Sequence, residues 1–168
     1  MARAGTKGAA KAPPADRVVA SNRKARRNYD ILDTVEAGIV LRGSEVKSIR
    51  DGQVQIGDAF ARIDDRGEVW LHNLTVAVYA YSQAHTGHDE TRKRKLLLHH
   101  HEIERWRSRV EAEHLSLVPL AVYFKDGRAK VELALARGRK AYDKRQAIAE
   151  RDAQLDVRRE MARRHRDV

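Results

Sequence analysis

The stretch LSLVPLAVYFKDGRAKVELALA, Leu115 to Ala136, decides how this chain folds. Val131, Leu133 and Leu135 alternate with Lys130, Glu132 and Ala134, the period of a strand with one buried face. Leu115 to Tyr123 is a second apolar run of strand length. Lys125-Asp126-Gly127 lies between them, and an Asp-Gly pair flanked by strands predicts a tight hairpin. Pro119 has no N–H to give to a ladder, so the first strand is expected at an edge or bulged there.

Upstream, Tyr29 to Leu41 reads as extended chain, broken at Gly38, where a bulge or bend is expected. Gly43-Ser44 opens a short helix with Ser44 as N-cap and Gly52 as its end. Val46 and Ile49 share one face and Lys47 and Arg50 the other, so this helix plugs a barrel end while showing two cations. Glu36 and Glu45 flank the turn. No nucleophile or His adjoins them, so structural roles are expected rather than acid–base chemistry. Phe60 to Asn73 is a second hairpin about Asp65-Arg66-Gly67, with Val69, Leu71 and Asn73 on one parity and Trp70 and His72 on the other. Asp64 and Asp65 are turn formers before they are a metal pair. Adjacent His99, His100 and His101 cannot converge on one metal ion. Glu102 to His114 is a helix with Ile103, Trp106 and Val110 as its core stripe. The fold class is mainly β with flanking helices, an OB-like small barrel.

Charge divides the chain in three. Residues 1–29 hold 8 basic and 1 acidic residue, 30–136 hold 15 and 17, and 137–168 hold 11 and 6, within a formal total of +10. A near-neutral body between cationic ends suits a polyanion such as nucleic acid, where each phosphate contact releases counterions. The expected organisation is a disordered arm over 1–20, a barrel domain over 21–137 and a basic tail over 138–168. The arm is rich in Ala, Gly, Lys and Pro and lacks periodicity. Ser21-Asn22 can cap a basic turn, Arg23 to Arg27. The tail has a thin apolar stripe of Ala147, Ile148, Leu155 and Met161, so helix is expected there only on a partner. No apolar run is long enough to span a bilayer, and no apolar segment follows Met1. With Cys absent, disulfides and thiolate chemistry are excluded. A cytoplasmic protein without membrane partners is expected.

Three stretches fit phosphate or base contact. Tyr79 to Glu90 is an aperiodic loop, and Thr91-Arg92-Lys93-Arg94-Lys95 follows it as a cationic run seated by Leu96-Leu97-Leu98. Gly138-Arg139-Lys140-Ala141-Tyr142-Asp143-Lys144-Arg145, at the junction of barrel and tail, embeds one ring among charges. Taken alone, that junction is equally a solvated turn, with Asp143 capping a helix and Gln146 completing a capping box.

The ordered motifs resemble one family. They are Asn22-Arg23-Lys24-Ala25-Arg26, Glu36-Ala37-Gly38, Gly43 to Arg50, Thr91 to His99, Leu117-Val118-Pro119-Leu120, Lys130 to Ala134, and Gly138 to Arg145 with Glu150-Arg151-Asp152. Together they are similar to the SmpB family, the SsrA-binding proteins of bacterial trans-translation. The resemblance implies an OB-like barrel that binds the tRNA-like domain of tmRNA (SsrA RNA). It also implies delivery of alanyl-tmRNA with elongation factor Tu to stalled 70S ribosomes. The tail would lie in the decoding centre and empty mRNA channel against small-subunit rRNA. No catalytic residue, cofactor or metal is implied.

By position, Asn22, Glu36 and the leucine run at Leu96 match places linked to tmRNA binding. Arg23, Lys47, Arg50, Arg94 and Lys95 join them as backbone contacts. Gly138, Arg139, Lys140, Tyr142, Asp143, Lys144 and Arg145, with Met161 further along, match the ribosome-facing part, and Tyr142 takes the base-stacking position. Arg139 stands where the family has Lys, which keeps the charge and alters donor geometry. Two other readings are a nonspecific OB-type single-strand binder and a hydrolase using Asp64, Asp65 and the histidines. The first needs exposed rings, and of 2 Phe, 2 Trp and 5 Tyr several look like core.

Overall fold

The structure, a computed structural model, describes residues 17–79 and 88–164, and of 141–144, 147 and 164 the backbone alone. Its spine is the hairpin of β8 (Ser116–Lys125) and β9 (Arg128–Gly138). The turn has φ 51° at Asp126 and 73° at Gly127. Two left-handed residues give the turn whose twist matches that of the flanking strands, which is why Asp-Gly sits there.

From the hairpin the sheet closes into a ring. β9 pairs with β2 (Tyr29–Ile39), β2 with β7 (Arg94–Leu97), β7 with β5 (Val69–His72), β5 with β4 (Phe60–Ile63), and β4 returns to β8. This ring is the OB-like barrel expected. Val122, Val131, Leu133, Leu135, Leu71 and Leu96 fill its interior. β1 (Arg17–Ser21) adds antiparallel to the Ala121–Phe124 part of β8, so residues 17–20 belong to the sheet and not to a free arm. β3 (Val54–Gln55) and β6 (Thr75–Val76) form a separate short ladder. No helix among the described residues is long and apolar enough to cross a membrane.

Local irregularities do specific jobs. Pro119 lies in β8, which is flanked by strands on both sides, so its edge reading fails and its bulge reading holds: the register with β9 shifts between Pro119 and Ala121. In β2 the bulge falls between Ile31 and Asp33, not at Gly38. Gly38 is where β2 passes from β9 to β7, and a Cβ there would meet Leu97 Cβ at 3.3 Å. Asp64 organises its turn by accepting from the Arg66 and Glu68 N–H groups at 3.0 and 2.8 Å.

α2 (Gly43–Arg50) sends Ile49 into the core, while α3 (His100–Glu113) contributes Trp106. The Trp106 indole N–H donates to Asp33 at 3.0 Å. Arg42, not Ser44, is the N-cap of α2. The Ser44 hydroxyl instead meets His88 Nδ1 at 3.0 Å, and His88 Nε2 meets the Val76 carbonyl at 2.9 Å.

Glu45 is fully buried and anchors this end of the barrel. It accepts from the Arg42 backbone N–H at 2.6 Å, Arg92 Nε at 2.8 Å and Arg94 Nε at 3.0 Å. Arg94, equally buried, also donates to the carbonyls of Leu74, Arg92 and Glu90. Burial alone would push the Glu45 carboxyl up, but the Arg92 and Arg42 hydrogen bonds and the Arg94 charge hold it below the usual carboxylate value. The cluster joins α2, β7 and the chain at 74 and 90.

α4 (Ala141–Arg164) is continuous helix, the helix expected of the tail. The described side chains of α4 are exposed, so helix-forming residues free of Gly and Pro maintain it, not a packed face. Asp143 falls inside the first turn, two residues past the helix start, and not at the cap expected of it.

Arg94→Ala leaves Glu45 charged and buried without its fully buried partner, with Arg92 still at the rim. It should cost about 3–5 kcal/mol in urea unfolding. Lys95→Ala removes only a half-exposed pair with Glu68 and should cost under ~1 kcal/mol.

Candidate nucleic-acid interface

α1 (Arg23–Asn28) lies on the outer wall of the barrel. Ala25, its one buried residue, packs with Val118, Leu120, Ala134 and Ala136. Around it Arg23, Lys24, Arg26 and Arg27 are exposed. Asn22 sets this arrangement. Its Oδ1 accepts from the Ala25 N–H at 3.0 Å, and its Nδ2 donates to the Pro119 carbonyl at 3.1 Å. Its own N–H donates to Leu120 O at 2.7 Å. Asn22 is 3% exposed, and its bonds position the basic turn.

Further along the same wall, the outward side chains of β2, β9 and β8 make a polar cluster. The Tyr123 hydroxyl donates to Glu36 at 2.6 Å and Lys125 Nζ lies 3.3 Å from it. The Tyr123 bond, with the charges of Lys125 and Lys130, outweighs partial burial and holds Glu36 below its ordinary value. Burial, then Glu36, pushes the Tyr123 phenol well up. Glu36 therefore stays charged and orients Tyr123 and Lys125 beside Lys130 and Arg128. Arg50 stands over the Phe124 ring at 5.6 Å, next to the hairpin turn, with Lys47 also exposed on α2. The wall thus has cations at α1, at the hairpin tip and on α2.

The junction closes the wall at the α1 side. Gly138 ends β9 opposite Tyr29. Arg139 donates through its backbone N–H to Asn28 O at 3.0 Å and through Nε to Asp30 at 2.8 Å. That pair fixes where α4 leaves the barrel. Lys140 and Arg145 are exposed, and Met161 is 66% exposed. The side chains of Tyr142, Asp143 and Lys144 lie outside the described residues, as do Tyr81 and His85 of the expected loop.

Two sequence-predicted contacts are overturned. Arg94 is consumed by the Glu45 cluster and cannot reach a phosphate. Leu96 is 1% exposed and belongs to the core, while Leu97 is 53% exposed. Three consecutive leucines carry no parity, so sequence could not choose between them. Lys95 is half-exposed and paired with Glu68. Tyr123, Lys125 and Lys130 were missed as site residues. Their strand period alone, placing them on the face opposite Val131 and Leu133, was the signal available. A groove of about 860 Å³ beside α1, β4 and α3 is lined by Lys24, Arg62 and Arg107 and by Asp58, Asp65 and Glu111.

Glu132 faces outward between Glu36 and Ala121 but is 7% exposed, and its Oε2 has no hydrogen-bond partner. Burial pushes its carboxyl up, partly offset by the Arg26 charge. A carboxyl that holds its proton more tightly when folded destabilises the fold at neutral pH. That loss is recovered as pH falls through its folded value toward the unfolded one. Glu132→Gln should therefore raise stability at pH 7 by about 1 kcal/mol, and chemical unfolding over pH 7 to 4 should show the advantage shrinking.

The chain is 53% identical over 161 residues to the SsrA-binding protein of Mycolicibacterium paratuberculosis, covering 96% of this chain and 91% of that one. It is 55% identical over 148 residues to the SsrA-binding protein of Frankia casuarinae, covering 88% and 92%. A solved structure described as "tmRNA-SmpB: a journey to the center of the bacterial ribosome" contains a chain 52% identical to it. The TM-score is 0.61 over 74% of this chain and 85% of that one. The sequence model of the family described as SmpB protein matches residues 19–163, through the barrel and on along α4, and the chain belongs to that family.

Proposed function

We propose that this protein is the RNA-binding adaptor of trans-translation in its cell. The barrel wall of α1, β2, β9 and β8 takes the tRNA-like domain of tmRNA, and α4 enters the decoding centre and empty mRNA channel of a stalled ribosome. The observation that carries this reading is the extent of the family match, which spans barrel and tail as one unit. The geometry supports it physically. Exposed Arg23, Lys24, Arg26 and Arg27 on one side, and exposed Arg128 with half-buried Lys125 and Lys130 on the other, straddle a rigid wall, as duplex RNA read by its backbone requires. Positioning falls to Asn22 beneath α1 and to Glu36 beneath the hairpin tip.

The junction Gly138 to Arg145 serves as the fixed exit from wall to tail, held by Arg139 on Asp30. Tyr142 stacks on a base of small-subunit rRNA there, and Lys140, Lys144 and Arg145 meet its phosphates. Elongation factor Tu joins through the alanylated RNA and the protein performs no chemistry of its own. These partners place it in the cytoplasm.

Two measurements test this. A chain ending at Arg137 should bind the tRNA-like domain within about threefold of full length and lose tagging on stalled ribosomes; equal loss of both would assign α4 to the RNA platform. Lys125→Ala with Lys130→Ala should weaken binding and lower the slope of log affinity against log salt by about 2. An unchanged slope would remove the hairpin tip from the interface.

A further inference from the structure

The opposite wall of the barrel carries aromatic rings that the core does not use. In the ring of strands, β5 stands three places from β9 in either direction. Alternation along β4, β5 and β7 turns Ala61, Val69, Leu71, Arg94 and Leu96 inward. It leaves Phe60, Trp70 and His72 half-buried on the outside, with Arg62 and Lys93 exposed. Phe60 pairs with His72 across the ladder, and Arg62 with Trp70. The Phe60 and His72 rings stack with centroids 5.1 Å apart and planes 10° apart. The Arg62 guanidinium stands over Phe60 at 5.3 Å and the Lys93 ammonium over Trp70 at 5.1 Å. The Trp70 indole N–H is fixed on Asp64 at 3.2 Å.

Cross-strand ring pairs steady a sheet by a few tenths of a kcal/mol to about 1 kcal/mol, which accounts for Phe60 and His72. It does not account for a cation over Phe60 and another over Trp70. Both are on flexible stems that can swing aside. Burial, then the charges of Arg62 and Lys93, lowers the His72 pKa, in keeping with a locally positive field. Rings on a rigid strand interleaved with mobile cations match a ligand with flat faces and regularly spaced negative charge. Trp70 and His72 are two residues apart on one face, roughly 6.6–6.8 Å along the strand, room for two separate rings to be stacked upon.

We propose that the outer face of β4, β5 and β7 is a stacking platform for two unpaired RNA bases, one on Trp70 and one on the Phe60–His72 pair. Arg62 and Lys93 leave the rings to meet the flanking phosphates. Single-stranded RNA is favoured over an acidic peptide because the rings present π faces between the cations, and stacking on such faces is indifferent to base identity. A double-stranded arm would hide those bases, so this platform has a different target from the α1 wall.

The test uses the full-length protein and a uridine decamer, which has no stable structure of its own. Trp106 is 2% exposed, so quenching of tryptophan emission on adding the decamer reports Trp70. Anisotropy of a labelled decamer then gives affinities for variants whose folding is checked by urea unfolding. Trp70→Leu should weaken binding about tenfold or more, Trp70→Phe should stay within about threefold, and Phe60→Leu should behave as Trp70→Leu. Binding of the structured tRNA-like domain should be unchanged in all three. The proposal is overturned if the decamer leaves emission unquenched, if the Leu and Phe variants at Trp70 bind alike, or if decamer and structured RNA lose affinity in parallel. Its failure would leave the α1 wall reading standing, since that rests on other residues and is read with the other RNA.

Discussion

Glu45 brings a full negative charge to the closed end of the barrel, and much of the structure is arranged to keep it there. A buried carboxylate is tolerable only with its charge matched and its lone pairs filled. Arg92, Arg94 and the Arg42 N–H do both, and Arg94 then ties down three carbonyls as well. One cluster thereby joins α2, β7 and the segments at 74 and 90, which are far apart in sequence. With that end locked, the barrel offers rigid outer walls, and the proposed nucleic-acid recognition rests on them.

The cluster also explains where sequence reading went astray. In Thr91-Arg92-Lys93-Arg94-Lys95 the four cations look equivalent, and a phosphate role for each is the natural inference. They divide by strand alternation: Arg94 points in to Glu45, while Lys93 and Lys95 point out. Nothing local marks Arg94 as the buried one, because its partner is 49 positions away. Asn22 is a similar case. Its capping role was legible from its place before a basic turn, but its hold on the Pro119 carbonyl depends on the β8–β9 bulge. The hairpin itself was plain in sequence because alternation and Asp-Gly chemistry are local. So were the α3 stripe and the turn role of Asp64.

What emerges is a division of labour by surface. The α1 wall is built of short basic elements held by polar groups, the buried Asn22 under one and the partly exposed Glu36 beside the other. The β4–β5–β7 wall carries rings with cations over them. α4 leaves the first wall at a fixed point, because Arg139 binds both the Asn28 carbonyl and the Asp30 carboxylate. An adaptor between two large RNAs needs this kind of stiffness. The direction in which the tail departs is then set by the barrel and not left to the tail.

Hydrogen–deuterium exchange, followed first with the tRNA-like domain alone and then with stalled ribosomes added, tests that division most directly. The account predicts slowed exchange in α1 and in the Lys125–Lys130 hairpin tip with the RNA alone, α4 unaffected, and slowed exchange in α4 once ribosomes are present. Protection of α4 by the isolated RNA, with α1 and the hairpin tip exchanging as in the free protein, would contradict it.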